Sequence, residues 1–171
     1  MDFKDKVVIV TGGASGIGYA LGESFSLCGA IVVLVDVNEG ALSEKVAEIA
    51  KDGANCIGVK CDVRYYDEVA NVLKTVYDKY GHIDIMINCA GGTAKRILNH
   101  PEDLLDTPID VIDFGIDLNL KGPVYFGIEA MKYMKKQNGG VIINFGSVTG
   151  EEGDKWGIDY AVVKSGVMGE L

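Results

Sequence analysis

The 171-residue sequence predicts an α/β fold in which helices cover both faces of one parallel β-sheet. Five short apolar runs are rich in β-branched residues and have the length of strands that are buried on both faces. The segments between these runs repeat apolar residues with helical spacing. Because no repeat, linker or low-complexity stretch interrupts the alternation, we expect right-handed βαβ units in a single domain over residues 1–171.

Strands and helices alternate from the first apolar run onward. The predicted strands are residues 7–10, 31–35, 57–61, 83–87 and 141–145. Helical spacing is clearest over residues 41–50 and 69–80, between consecutive strands. The longer segment 107–138 begins beside Pro108 and stops before Gly139 and Gly140, which predicts one long helix packed on the sheet.

Composition excludes several classes of protein. Apolar residues make up 48% and charged residues 24%, so the chain is not disordered. A net charge of −9 with only two arginines argues against nucleic acid or an anionic membrane as a partner. The first apolar run is too short for a secretory or membrane segment, so we expect a cytoplasmic protein. The cysteines lack C-x-x-C spacing, which favours reduced core thiols over a metal site; they are Cys28, Cys56, Cys61 and Cys89.

Residues 11–18, with the sequence TGGASGIG, connect the first strand to a helical segment. Such a junction directs free backbone N–H groups and the positive end of a helix to one point, and glycines let a pyrophosphate approach. A glycine-rich stretch alone is also typical of a tight βα turn. The second strand leads to Asp36, 18 residues after Gly18, where a carboxylate can accept hydrogen bonds from adenosine ribose hydroxyls. Loop and carboxylate together predict a dinucleotide site.

The charge of Asp36 also bears on which dinucleotide binds. A carboxylate repels a ribose 2′-phosphate, and neither the glycine loop nor residues 37–39 contain a lysine or arginine to bind one. The sequence therefore favours NAD over NADP as the cofactor.

Polar motifs follow the later strands in a fixed order. They are Asp62-Val63, Asn88-Cys89-Ala90-Gly91, Asn119, Ser147, and Tyr160 with Lys164 four residues later. Together with the T-G-x-x-x-G-x-G pattern of residues 11–18, this order resembles the short-chain dehydrogenase/reductase family. One residue departs from the family's N-N-A-G motif, because Cys89 replaces its second asparagine.

The resemblance implies a doubly wound, Rossmann-like parallel sheet with strand order 3-2-1-4-5. It also implies an adenine contact at Asp62-Val63, and an Asn119 that disturbs the long helix locally and holds a water relaying protons from Lys164. The cofactor-binding residues that it implies are Gly12, Ser15, Gly16, Ile17, Gly18, Asp36, Asp62, Val63, Asn88, Ala90, Gly91, Tyr160 and Lys164. Family members run to about 250 residues, so we expect this chain to lack the C-terminal strands and to be part of a longer protein.

Tyr160 and Lys164 fall on one face if residues 159–170 are helical. A nearby ammonium favours the phenolate, so Tyr160 is the candidate general base for alcohol oxidation and acid for carbonyl reduction. Ser147 follows a parallel strand, where it can hydrogen-bond the substrate oxygen. Asn119 completes the candidate catalytic set. Ser147 is not a hydrolase nucleophile, because it lacks a G-x-S-x-G context and no histidine follows it.

These residues predict an NAD-dependent oxidoreductase that transfers a hydride to or from a secondary alcohol or ketone of small size. The alternative is a non-catalytic NAD-binding or sensor protein with the same fold. The family resemblance also implies a homotetramer, and the long helix has more apolar residues than one buried face needs. Those residues are Val111, Ile112, Phe114, Ile116, Leu118 and Leu120.

Overall fold

The computed structural model describes residues 3–51, 53–100, 103–155 and 157–169. Five parallel strands form one sheet in the order β3-β2-β1-β4-β5, so the predicted order is confirmed. The strands are β1 Val7–Thr11, β2 Ile31–Asp36, β3 Cys56–Lys60, β4 Ile85–Asn88 and β5 Val141–Asn144. Each lies within two residues of its predicted bounds.

Helices connect these strands and cover the sheet. They are α1 Gly16–Leu27, α2 Glu39–Ala50, α3 Tyr66–Tyr80, α4 Ala94–Leu98, α5 Ile109–Ile116, α6 Gly122–Lys136, α7 Thr149–Glu152 and α8 Ile158–Met168. A 3₁₀ turn, Leu104–Asp106, precedes α5. The sequence did not predict α4 and α7, which have five and four residues and are too short to show a helical repeat.

Two cores lie on opposite faces of the sheet, as a doubly wound fold requires. Val7, Ile9 and Val33 are fully buried on the face covered by α3 and α6. Val8 and Leu34 are fully buried on the face covered by α1 and α2. Each such side chain contributes roughly 1.5–3 kcal/mol to stability. The central strands therefore anchor the loops at their carboxyl ends.

The edge strands are less buried than expected. Along β5, the side chains of Val141 and Ile143 are 53% and 39% exposed, and β3 also alternates between half-buried and exposed positions. The prediction that all five strands are buried on both faces is wrong for β3 and β5. In the described sheet each of these strands pairs on one side only, and the flanking helices cover it incompletely.

The predicted long helix is present, but its middle is a π-helical segment, Asp117–Lys121, between α5 and α6. Gly122 N–H bonds Asp117 O, five residues back. Two residues favour this register. The side chain of Asn119 donates to Gly115 O, and Pro123 has no N–H for the carbonyl four residues before it. This is the local disturbance expected at Asn119.

Candidate active site

The carboxyl ends of β1 and β4 are held together by one buried side chain. Thr11 Oγ1 accepts hydrogen bonds from the N–H groups of Cys89 and Ala90, each at 3.0 Å. Gly12 has φ of 67°, and a Cβ there would lie 3.0 Å from Ala90 Cα. The glycine loop and the β4 loop therefore meet where the strand order reverses, the position at which open α/β sheets bind ligands.

The glycine loop is closely packed on one side and open on the other. A Cβ on Gly18 would lie 2.3 Å from Gly12 O, so the start of α1 rests on the loop. A Cβ on Gly16 would meet no atom within 4 Å. Ser15, at the N-cap of α1, and Ile17 are exposed beside this opening. The first turn of a helix presents N–H groups without intrahelical partners, so this open face fits a dinucleotide pyrophosphate.

Asp36 is fixed across the glycine loop. Its Oδ2 accepts the Ala14 N–H at 3.1 Å, and its Oδ1 accepts the Asn38 N–H at 3.0 Å. Strand pairing also places Lys60 of β3 beside Asp36, and the Lys60 ammonium lies 3.5 Å from a carboxylate oxygen of Glu39. The sequence did not indicate Lys60, because it lies 24 residues from Asp36 along the chain and only strand pairing brings the two together.

Asp62 and Val63 follow β3 in different environments. Val63 is 5% exposed and packs on Gly122, where a Cβ would lie 2.8 Å from Val63 Cγ2. Asp62 is bound by Arg64, whose Nη2 lies 2.5 Å from Asp62 Oδ2. The hydrogen-bonded Arg64 guanidinium lowers the pKa of the Asp62 carboxyl from its ordinary value. Asp62 is therefore ionised at neutral pH.

Two buried asparagines organise the end of β4. Asn88 donates to Asn144 Oδ1 at 2.7 Å, and Asn88 Oδ1 has no hydrogen-bond partner in the described part of the chain. Asn119 Oδ1 accepts the Gly92 N–H at 2.8 Å, and Asn119 Nδ2 donates to Gly92 O at 3.0 Å. A Cβ on Gly91 would lie 2.6 Å from Asn119 Oδ1. Asn119 therefore fixes the loop after β4.

Asn144 and Gly92 also belong to the site, although the sequence motifs did not indicate them. The signal for Asn144 is its register, because it ends β5 directly opposite Asn88, which ends β4. Gly92 lies one residue beyond the recognised motif, and its contact with Asn119 depends on the π-helical segment.

Tyr160 and Lys164 lie on one face of α8, as their spacing predicts. The Lys164 ammonium is 5.6 Å from the centre of the Tyr160 ring and donates to Phe145 O at 2.6 Å. Lys164 is 9% exposed, and Tyr160 is half-buried. Just after β5, Ser147 Oγ accepts hydrogen bonds from Thr149 Oγ1 and Thr149 N–H at 2.9 and 3.3 Å. Lys164 therefore ties the Tyr160 helix to the end of β5.

The cysteines are unpaired and differ in burial. Burial raises the pKa of the Cys89 thiol to about 11, against the opposing effect of the Lys164 ammonium, and raises that of Cys61 to about 12. Cys28 is exposed, so the expectation of a core thiol is wrong there, because the residue caps the carboxyl end of α1. Across the described residues, no three His, Cys, Asp or Glu side chains are grouped to hold a metal ion.

A family comparison agrees with this architecture. The model of the short chain dehydrogenase family matches residues 6–170. The chain belongs to the short-chain dehydrogenase/reductase family, whose members are oxidoreductases that use a nicotinamide cofactor. Within the described ranges, no helix combines the length and apolarity needed to span a membrane.

Curated relatives are similar over nearly the whole chain. An uncharacterised oxidoreductase of Staphylococcus epidermidis is 37% identical over 165 residues, which are 96% of this chain and 67% of that protein. A 3-oxoacyl-[acyl-carrier-protein] reductase of Synechocystis is 35% identical over 165 residues, 96% of this chain and 64% of that protein. The chain thus spans about two thirds of the length of these relatives.

Solved structures share the fold. A short-chain type dehydrogenase/reductase from Mycobacterium ulcerans superposes with a TM-score of 0.89 at 26% identity, covering 98% of this chain and 60% of that one. An actinorhodin polyketide ketoreductase with NADPH gives a TM-score of 0.88 at 26% identity, covering 96% of this chain and 62% of that one.

Proposed function

We propose that the chain is the cofactor-binding and catalytic part of an NAD-dependent oxidoreductase that acts on a secondary alcohol or ketone. One observation supports this proposal above all. The Lys164 ammonium contacts Phe145 O and lies near the Tyr160 ring, at the carboxyl ends of the strands, where the glycine loop also lies. The names of two relatives, a 3-oxoacyl reductase and a ketoreductase, support a ketone as the oxidised substrate.

The residues along this edge would hold NAD in an extended form. Gly12, Ser15, Gly16, Ile17 and Gly18 would surround the pyrophosphate, and Asp36 would bind the adenosine ribose. The remaining contacts are proposed at Asp62, Val63, Asn88, Ala90, Gly91, Tyr160 and Lys164. When bound, the nicotinamide ring supplies or accepts the hydride.

The chain's own residues would move the proton. The Lys164 ammonium favours the phenolate of Tyr160, which takes the hydroxyl proton of an alcohol or, as the phenol, protonates a ketone oxygen. Ser147 Oγ accepts two hydrogen bonds from Thr149, which leaves its own O–H to donate to the substrate oxygen. A proton relay through a water at Asn119 stays a prediction.

Replacement of the proposed general base tests this function. In the full-length protein, Tyr160→Phe should lower NAD-dependent turnover about 10²-fold or more, because removing a general base lowers the rate by this factor. The assay is NAD reduction with polyols, sugars, hydroxyacids and 3-hydroxyacyl thioesters, and its control is an unchanged free energy of unfolding in urea. Equal turnover of both proteins on every accepted alcohol contradicts the role of Tyr160. NADH binding without turnover on any of these substrates favours the sensor alternative.

Two expectations beyond the site stay predictions, a cytoplasmic location and self-association as a homotetramer. The apolar residues expected to mediate self-association are only partly exposed. Val111 is 2% exposed, and the other five are half-buried within the chain. Ile128 and Met131 of α6 are 44% and 39% exposed and are the stronger candidates for a subunit contact.

A further inference from the structure

The loop after β3 contains a forked ion pair that the proposed chemistry does not use. Arg64 Nε lies 2.9 Å from Asp62 Oδ1 and 3.1 Å from Oδ2, and Arg64 Nη2 lies 2.5 Å from Oδ2. The Arg64 N–H also donates to Asp62 Oδ1 at 3.1 Å. Because the guanidinium fork engages both oxygens, it fixes the rotation of the carboxylate as well as its position.

Arg64 is itself held by aromatic rings. Its guanidinium carbon lies 4.5 Å from the centre of the Phe114 ring of α5 and 5.5 Å from that of Tyr65. Such cation–π contacts orient a guanidinium that is partly removed from water, and the Arg64 side chain is 28% exposed. Arg64 therefore connects the β3 loop to the long helix that also carries Asn119.

This arrangement limits how a ligand can approach Asp62. The carboxylate side chain is 17% exposed, and both of its oxygens already accept hydrogen bonds from Arg64. A ligand donor is therefore left with the lone pairs that Arg64 does not use. An amino group is the ligand chemistry that suits an ionised carboxylate with this restricted approach.

We propose that Arg64 is a positioning residue for adenine recognition, holding Asp62 so that one carboxylate oxygen accepts a hydrogen bond from the exocyclic amino group. The inference rests on the proposed function, in which the adenine of the cofactor lies at Asp62-Val63. Arg64 acts through Asp62 and does not itself contact the base. If Arg64 only stabilised the loop, its removal would change the affinity for every ligand by the same factor.

The test compares NADH with reduced nicotinamide hypoxanthine dinucleotide, in which a carbonyl oxygen replaces the adenine amino group. Dissociation constants for the full-length protein are measured by nicotinamide fluorescence. The wild type should bind NADH about tenfold more tightly, the effect of one charge-assisted hydrogen bond. Arg64→Met should lose most of this preference and keep its affinity for the hypoxanthine cofactor within about twofold. Arg64→Lys, which retains the charge but not the fork, should retain part of the preference.

Two further variants make the comparison specific. Lys121→Met removes the same charge from the neighbouring π-helical segment, where Lys121 pairs with Asp117, and should keep the full preference. Phe114→Leu removes the ring beneath the guanidinium and should reduce the preference by a smaller factor than Arg64→Met. Phe114→Leu and Arg64→Lys keep the inference testable if Arg64→Met does not fold.

Each outcome separates the inference from the proposed function. If the wild type binds neither dinucleotide, the proposed function fails and the inference fails with it. If it binds both equally, the dinucleotide site stands but Asp62 does not recognise the amino group. Full preference in Arg64→Met, or an equal loss of affinity for both cofactors, overturns the positioning role.

Discussion

Gly18 and Gly16 illustrate two different reasons for a glycine at one site. Gly18 is required by packing, because a Cβ there would lie 2.3 Å from Gly12 O. Gly16 is required by backbone conformation, since its φ is 53° but the space around it is open. The two positions therefore respond differently to the same substitution.

Alanine substitution separates the two effects. Gly18→Ala should lower the free energy of unfolding by about 1–3 kcal/mol, because backbone atoms must move. Gly16→Ala should cost about 1–2 kcal/mol of backbone strain and place a methyl group at the proposed pyrophosphate face. Urea denaturation and NADH titration measure both quantities. The contrast is refuted if Gly16→Ala leaves the affinity for NADH unchanged.

We expect Asp36 to determine which dinucleotide the protein prefers. The wild type should bind NADH at least tenfold more tightly than NADPH, about 1.4 kcal/mol, because Asp36 repels a 2′-phosphate. The double variant Asp36→Asn, Glu39→Gln should narrow this ratio, since it removes the repulsion and releases Lys60 from Glu39. Fluorescence titration gives the ratio. Adding Lys60→Met to the double variant should restore the part of the preference for NADH that the Lys60 ammonium had removed. Equal affinities of the wild type for NADH and NADPH would refute the argument.

At the scale of elements, the π-helical segment converts a long helix into a support for a loop. The segment places Asn119 where its side-chain oxygen accepts a hydrogen bond from the Gly92 N–H and its side-chain nitrogen donates one to Gly92 O. If residues 117–121 were α-helical, the Asn119 side chain would point in another direction. The loop after β4 therefore depends on a defect in a helix distant in sequence.

Removal of the Asn119 amide tests this dependence. Asn119→Ala leaves the half-buried Gly92 N–H without its partner and should lower the free energy of unfolding by about 1–3 kcal/mol. Asp113→Asn, an exposed change on α5, is the matched control and should have little effect. Urea denaturation compares the three proteins. Equal stability of Asn119→Ala and the control would show that the amide does not hold the loop.

At the scale of the whole molecule, apolar patterning predicted most of the architecture. The central strands are buried on both faces, so β1, β2 and β4 read as continuous apolar runs. What the sequence did not show depends on pairing across the sheet. The proximity of Lys60 to Asp36 and of Asn144 to Asn88 follows from strand register, which local patterning does not determine. The motif residues were found because their order along the chain resembles that of a family.

Acid should destabilise the protein through its paired carboxylates. The bound guanidinium of Arg64 lowers the pKa of Asp62. Burial alone would raise the pKa of Glu129, but hydrogen bonds from Lys132 and Tyr66 outweigh it and the pKa is lowered. A carboxyl group with a lowered pKa in the folded state stabilises the protein above its unfolded pKa and loses that contribution as the pH falls. The pH range over which this stability is lost begins near 3.8 and 4.5, the ordinary pKa values of Asp and Glu, and extends below them.

Urea denaturation at pH 6, 4 and 3 measures this loss. The free energy of unfolding should fall over the series, and it should fall less in Asp62→Asn and Glu129→Gln, in which one contribution is already absent. Asp113→Asn, an exposed change on α5 beyond its first turn, serves as the control and should follow the wild type. Parallel curves for all four proteins would contradict the assignment.

The Thr11 hydroxyl has a consequence for the motion of the site. It binds the amide hydrogens of Cys89 and Ala90, which lie beyond the end of β4 but are held from the end of β1. Hydrogen exchange with deuterated solvent requires an amide to break its bond and meet water. We therefore expect these two amides to exchange when the loops after β1 and β4 move apart, so that their exchange rates measure how often the crevice between the two loops opens.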